Sequence, residues 1–249
     1  MIRRVVLATL ALMAAYAVYE YVRIHRTLQA ADLPSIPLDA RLRYPGAGAS
    51  RAPYTVVVVG DSTAQGMGAS SVEQSFGAVV ARSLAESGGR DVELLNLGVS
   101  GATARDVPSK QIPRLRGLSP DLILLSVGAN DVTGWTSTEE YLAQMEEIIR
   151  QLRATGADVA VLDVPAIVTA PLLPLPARLV FDVRTRRFNA GLQALRDRHA
   201  FLLVPIYERT REPFERDRAN FAADGYHPSS KGYALWAEAT LATLQGLAE

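Results

Sequence analysis

The chain has 249 residues, 49% of them apolar and 21% charged, the composition of a folded globular protein rather than a disordered one. Its 26 basic and 26 acidic residues cancel, which argues against nucleic-acid binding, where a basic excess is the rule. With no cysteine it has no disulfide, Cys-ligated zinc, iron–sulfur cluster, thiol nucleophile or lipidated N-terminal cysteine. Three histidines, His25, His199 and His227, are too few for a histidine-rich metal site.

The charge balance hides an asymmetry. Residues 1–26 carry Arg3, Arg4, Arg23 and Arg26 against Glu20, a net +3, and leave −3 for the rest. Val5 to Tyr19 is an uncharged apolar run behind the first arginine pair. At about 1.5 Å per residue it reaches roughly 22 Å, short of the ~30 Å bilayer core. Extension through Val22 brings it near spanning length, with Tyr16, Tyr19 and Tyr21 at one interface and arginines snorkelling at the ends. Two readings compete: an uncleaved membrane anchor over 1–26, or a signal peptide cut after Ala15-Tyr16-Ala17. The anchored reading puts the domain that follows outside the cytoplasm, although arginines on both flanks make the orientation signal weak.

Residues 27–53 are expected to be a juxtamembrane linker; from Asp32 on they are rich in Pro, Gly and Ala and have no sustained period. Residues 54–249 then alternate strands with helices. Strands are expected at Tyr54–Val59, Val92–Leu97, Leu122–Val127, Val159–Val164 and Phe201–Pro205. Each is almost continuously apolar, as strands covered on both faces of a parallel sheet must be. Helices are expected after a capping box at Ser70–Glu73, running through Phe76–Leu84 to a stop at Gly88-Gly89. Another follows the box at Ser137–Glu140 and ends at Gly156. Others cover Val180–Arg198 and Ser229–Leu244. The alternation implies right-handed βαβ units and one three-layer α/β/α domain.

Ligands of such a sheet bind beyond the carboxyl ends of its strands, so the residues following each strand are the candidates. Gly60-Asp61-Ser62-Thr63 places a serine hydroxyl on a strand-to-helix turn. The nearby glycines do not make G-x-G-x-x-G, and the run lacks the Gly-Lys-Ser/Thr ending of a phosphate loop. Asn96 to Thr103 is a glycine-containing loop whose N–H groups can face a ligand. Gly128-Ala129-Asn130-Asp131 offers a side-chain amide. Asp224-Gly225-Tyr226-His227 places an acid three residues before a histidine, where it can accept the Nδ1–H bond and leave Nε2 as a base. Each block alone is an ordinary turn or cap. Together they supply a nucleophile, a base, an orienting acid and oxyanion donors. His199 and His25 read as structural or solvated.

In order and spacing, Gly60-Asp61-Ser62, Asn96…Gly101, Gly128-x-Asn130-Asp131 and Asp224-x-x-His227 resemble the four blocks of the SGNH hydrolase (GDSL-like esterase and lipase) superfamily. The resemblance covers about residues 54–245 and implies a flavodoxin-like sandwich with a mainly parallel five-stranded sheet. It implies Ser62 as nucleophile, His227 as general base and acid, Asp224 as its partner, and an oxyanion hole from the N–H groups of Ser62 and Gly101 and the Asn130 amide. The choice of Gly101 over Gly98 follows the family pattern. Thr63 stands where the lipolytic signature often has Leu.

The expected function is therefore cofactor-free and metal-free hydrolysis of a small-molecule, lipid or glycan ester through an acyl-enzyme. A deacetylase or acyltransferase of envelope polysaccharide would use the same site. A membrane-tethered binding module without catalysis is the reading from another class. The apolar stretch Pro165–Val180 is either an acyl-pocket wall or lid, or a buried connection. The basic Arg184–Arg187 segment is expected to be a solvated helix face.

Overall fold

The computed structural model describes residues 2–46 and 52–245. Part of the expected linker, the last residues of the expected 54–249 domain and the His25 side chain lie outside this description.

The chain opens with helix α1 (Ile2–Ala30). It has a mean hydropathy of 1.7 over its best window, and among the described residues it alone is long and apolar enough to cross a membrane. Its N-terminal half, before Tyr16, projects free of the domain, with Leu7, Leu10, Leu12 and Met13 exposed.

The expected linker is partly built into the fold. Ile36 and Ala40 are buried, and strand β1 (Arg41–Tyr44) pairs antiparallel with a later strand, Leu42 opposite Leu94. The expectation of five strands is therefore corrected to six, in a mostly parallel sheet. β1 escaped the sequence because only four residues alternate, between proline and glycine, too few for a period. Its arginines face outward, which guards the sheet edge; Arg43 pairs with Asp91 at 2.8 Å.

Strand β2 (Tyr54–Gly60) leads through the short helix α2 (Ser62–Gln65) to α3 (Phe76–Gly88). The cap of α3 is Ser75, whose Oγ accepts the Ala78 N–H, and Val72–Gln74 forms a separate 3-10 turn. The expected cap at Ser70-Ser71 is thus displaced, because the extended Ser75 breaks the helix there. Strand β3 (Val92–Asn96) precedes α4 (Asp106–Lys110), and β4 (Leu122–Ser126) precedes α5 (Ala129–Thr133). Helix α6 (Thr138–Arg153) is capped by Ser137 onto the Glu140 N–H, as expected. Strand β5 (Asp158–Leu162) is followed by α7 (Leu175–Arg198), which starts five residues before the expected Val180. The chain ends through β6 (Leu202–Val204), α8 (Ile206–Arg216) and α9 (Ser230–Leu244). The amphipathic α8 was hidden behind its internal Pro213.

The sheet order is β1-β3-β2-β4-β5-β6, with β2 to β6 parallel. Alternate side chains of each inner strand feed two cores. Val57, Val59, Ile123, Leu125 and Val161 pack under α6 and α7 with Met145 and Phe188. Val56, Val58, Leu122, Leu124 and Leu162 pack under α3 and α9 with Phe76 and Trp236. Coverage on both faces is why these strands are apolar at every position.

Asp163, just past β5, accepts the Tyr207 N–H at 2.8 Å at the start of α8. Burial outweighs the bonds from Tyr207 and Ile206 and pushes its carboxyl up to about 7. An unfolded aspartate titrates near 3.9, so the folded group holds its proton longer. The stability this contributes is complete below about pH 4 and is lost as pH rises to about 7. Asp163→Asn keeps the acceptor oxygen and removes the buried charge. It is expected to raise Tm by several °C at pH 8 and by much less at pH 5, read by thermal unfolding at both pH values.

Candidate active site

The strand order places β3 and β4 on opposite sides of β2. The winding direction reverses there, and a crevice opens beyond the carboxyl ends of these strands. The loops after β2, β3 and β4 meet in it.

The turn after β2 is tightly specified. Gly60 has φ of 136°, and a Cβ there would lie 1.8 Å from the Ser126 carbonyl oxygen, so only glycine fits. Both backbone groups of Gly60 are bonded by the buried Gln111 side chain, N–H to Oε1 at 2.7 Å and Nε2 to the carbonyl at 2.8 Å. Asp61 caps α2 by accepting the Thr63 N–H and hydroxyl at 2.8 and 2.7 Å. Burial pushes its carboxyl up against these bonds. Thr63 also meets the Ser126 hydroxyl at 2.7 Å, so it ties β2 to β4. Ser62 thus starts α2 on a rigid turn, where backbone N–H groups have no intrahelical acceptor. Gln111→Ala leaves the buried Gly60 N–H unpaired at about 1–3 kcal/mol, while the Gly60 carbonyl keeps the Val99 N–H at 3.1 Å. The expected fall in Tm is roughly 2–12 °C, measured by thermal unfolding.

The late loop closes on Ser62 from α9's side. His227 Nε2 lies 3.0 Å from Ser62 Oγ, and Nδ1 lies 2.5 Å from Asp224 Oδ2. The other Asp224 oxygen accepts the N–H groups of Tyr226 and His227 at 2.9 and 3.0 Å. Burial pushes the Asp224 carboxyl up, but the His227 bond and charge and the two N–H groups together hold it below the usual range. The Tyr226 ring stands edge-on to His227 at 5.3 Å between centroids, limiting its swing.

The other two blocks interlock. Asn130 Nδ2 donates to the Ala102 carbonyl at 2.9 Å. Asp131 accepts the Ala104 N–H at 3.0 Å, and burial, opposed by that bond, pushes its carboxyl up to about 6. Gly98 packs against α2, where a Cβ would meet the Gln65 nitrogen at 2.3 Å, and its N–H bonds Asn96 Oδ1. Gly101 is different: it is exposed, has φ of 81° and has open space where a Cβ would go. Gln65 Oε1 accepts the neighbouring Ser100 N–H at 2.9 Å, and its Nε2 bonds the Ile36 carbonyl at 2.9 Å.

The structure joins Ser62, His227 and Asp224 in one hydrogen-bonded line and ties Asn130 to the loop that carries Gly101. Gln65, Gln111 and Arg184, which support this arrangement, were not foreseen. Arg184 bonds the Val132 and Thr136 carbonyls at 3.0 and 2.5 Å, so this arginine is turned inward rather than solvated. These supports are isolated polar residues whose partners lie up to 52 positions away, and no local motif marks them. His199 pairs with Glu146 at 2.7 Å, apart from the site. Among the described residues no cluster of His, Asp and Glu could hold a metal ion.

Two apolar spaces open beside the site residues, one at Ser62 and His227 and one at Asn130. One, beside His227, is lined by Ile167, Phe214, Phe221 and Trp236. The other is a trough reached from Asn130 and walled by Leu173, Phe181 and the Tyr16–Leu28 part of α1. The Pro165–Val180 stretch contributes to both, Ala166 and Ile167 to the first and Pro174 and Ala177 to the second.

The chain is 31% identical over 185 residues to a GDSL-like esterase of Mycobacterium tuberculosis, covering 74% of this chain and 59% of that protein. It is 28% identical over 116 residues to an arylesterase of Vibrio mimicus, covering 47% of this chain and 57% of that one. It thus spans less than two thirds of either relative. An acetylxylan esterase of Geobacillus stearothermophilus has the same fold, with a TM-score of 0.62 and 18% identity over 79% of this chain and 95% of that one. Residues 58–235 match the model of the GDSL-like lipase/acylhydrolase family. With more than half the chain matched, the chain belongs to the GDSL-like lipase/acylhydrolase family.

Proposed function

We propose that the protein is a serine esterase working through an acyl-enzyme, with Ser62 as nucleophile, His227 as base and acid, and Asp224 as its orienting partner. The observation that carries this is the hydrogen-bonded line Ser62–His227–Asp224, at 3.0 and 2.5 Å. A serine hydroxyl is a weak nucleophile until a base takes its proton. As Ser62 Oγ bonds the ester carbonyl carbon, its proton passes to His227 Nε2. When the carbon–alkoxy bond breaks, His227 returns that proton to the leaving oxygen. Water then attacks the acyl-serine by the same route, releasing the acid and restoring Ser62. Asp224, held ionised by its bonds, fixes the tautomer and supports the imidazolium.

The oxyanion is received by the N–H groups of Ser62 and Gly101 and by Asn130. An amide carries two N–H donors; one Asn130 donor holds the Ala102 carbonyl, and the other serves the oxyanion. The exposed, positive-φ backbone of Gly101 suits it to this role better than Gly98, whose N–H is already bonded. No metal or organic cofactor enters the reaction. Helix α1 acts as a retained membrane anchor in this reading, with residues 54–249 as the catalytic domain outside the cytoplasm.

The test is turnover of p-nitrophenyl acetate together with labelling by a fluorophosphonate probe. The expected result is hydrolysis, with the label mapped to the peptide containing Ser62. Folded protein that neither hydrolyses the ester nor takes the label would refute the reading and favour a binding module.

A further inference from the structure

Helix α1 lies outside the residues that match the family, yet it forms a wall of the site. Tyr16, Ala17, Glu20, Ile24 and Leu28 recur at helical spacing and line the trough that reaches Asn130 and Tyr226. Ile24 packs against the domain core. Arg23 donates to the Leu172 carbonyl at 2.6 Å and to Glu20 at 2.8 Å, which clasps the helix to the loop before α7. Only the stretch before Tyr16 stands clear.

The opposite bank of the trough is also unusual. Trp135, Leu175, Leu179 and Val183 are 64%, 64%, 56% and 51% exposed. Leu175, Leu179 and Val183 share one face of α7 at four-residue spacing. The Trp135 ring is tilted at 59° against Phe181, also a trough residue, with 5.9 Å between centroids, and lies under the Arg184 guanidinium at 5.0 Å. Soluble proteins seldom expose contiguous large apolar side chains without a partner for them.

We propose that α1 and the N-terminal half of α7 seat the open end of the site on the bilayer leaflet, and that the substrate is a membrane-resident ester whose acyl chain enters along α1. This rests on the esterase reading. What identifies the occupant is continuity: the exposed apolar run of α1 passes without interruption into the trough wall. From Tyr16 to Leu28 the helix climbs roughly 18 Å at about 1.5 Å per residue, enough to carry a chain from the acyl region to the crevice. The two spaces then divide the substrate. Asn130 lines the trough, so the carbonyl and acyl chain lie there. His227 lines the other cavity, so the alcohol that it protonates leaves on that side.

The test uses the full chain reconstituted in phosphatidylcholine vesicles. The chain has two tryptophans, and Trp236 is buried, so brominated phosphatidylcholine should quench wild-type emission strongly and Trp135→Phe emission little. Leu175→Glu/Leu179→Glu should cut turnover of vesicle-borne p-nitrophenyl palmitate at least about tenfold and leave soluble p-nitrophenyl acetate turnover within about twofold. Equal emission with and without bromine overturns the proposal, as does palmitate turnover unaffected by the glutamates; both together would assign the face to a protein partner. Loss of both activities in the glutamate variant also overturns it. Wild type that quenches normally but hydrolyses neither ester refutes the esterase reading and not the membrane seat.

Discussion

Ser62→Ala should lower kcat/KM for p-nitrophenyl acetate by at least about 10⁴-fold, since removing the nucleophile of such a triad leaves only binding and oxyanion stabilisation. The fold should survive. Ser62 Oγ meets His227 at 3.0 Å, whereas the turn is held by Asp61, Thr63 and Gln111. A methyl group also satisfies the first position of α2. An unchanged thermal midpoint beside the lost activity would place the effect in the chemistry. Retention of more than a tenth of wild-type kcat would remove Ser62 from the mechanism.

Asn130→Ala should lower kcat by about 10²–10³ and change KM little, because the lost donor meets charge that exists only in the transition state. The substitution also breaks the bond from Asn130 to the Ala102 carbonyl, which ties the loop after β3 to the loop after β4. A structural contribution would appear as a lower Tm and a raised KM. A fall confined to kcat would identify the oxyanion role. Normal kcat would transfer that role to Ser62 and Gly101 alone.

Much of this site was legible because its parts are local. Gly60-Asp61-Ser62 is a strand, a glycine that avoids the Ser126 carbonyl and a cap, all within a few residues. Asp224 and His227 are three residues apart, so one turn suffices to bring Nδ1 to the carboxylate. The continuous apolar strands and the caps at Ser137 and Ser229 are likewise local signals. Where a local rule failed, a longer-range contact had overridden it. The Ser70–Glu73 box became a 3-10 turn while Ser75 capped α3. Strand β1 took its place through pairing with β3, although its own four residues carry almost no period.

The sequence by itself determined the layered α/β class, the apolar N-terminal helix, the candidate nucleophile, base and acid, and the absence of thiol chemistry. These follow from composition, period and short spacings, which are properties of neighbouring residues. Tertiary structure alone decided the sixth strand, the Gln111 clamp on Gly60, the inward turn of Arg184 and the docking of α1 beside Asn130. Each of these joins residues dozens of positions apart. Such pairings depend on which surfaces the folded sheet brings into contact, and no local pattern in the chain encodes them.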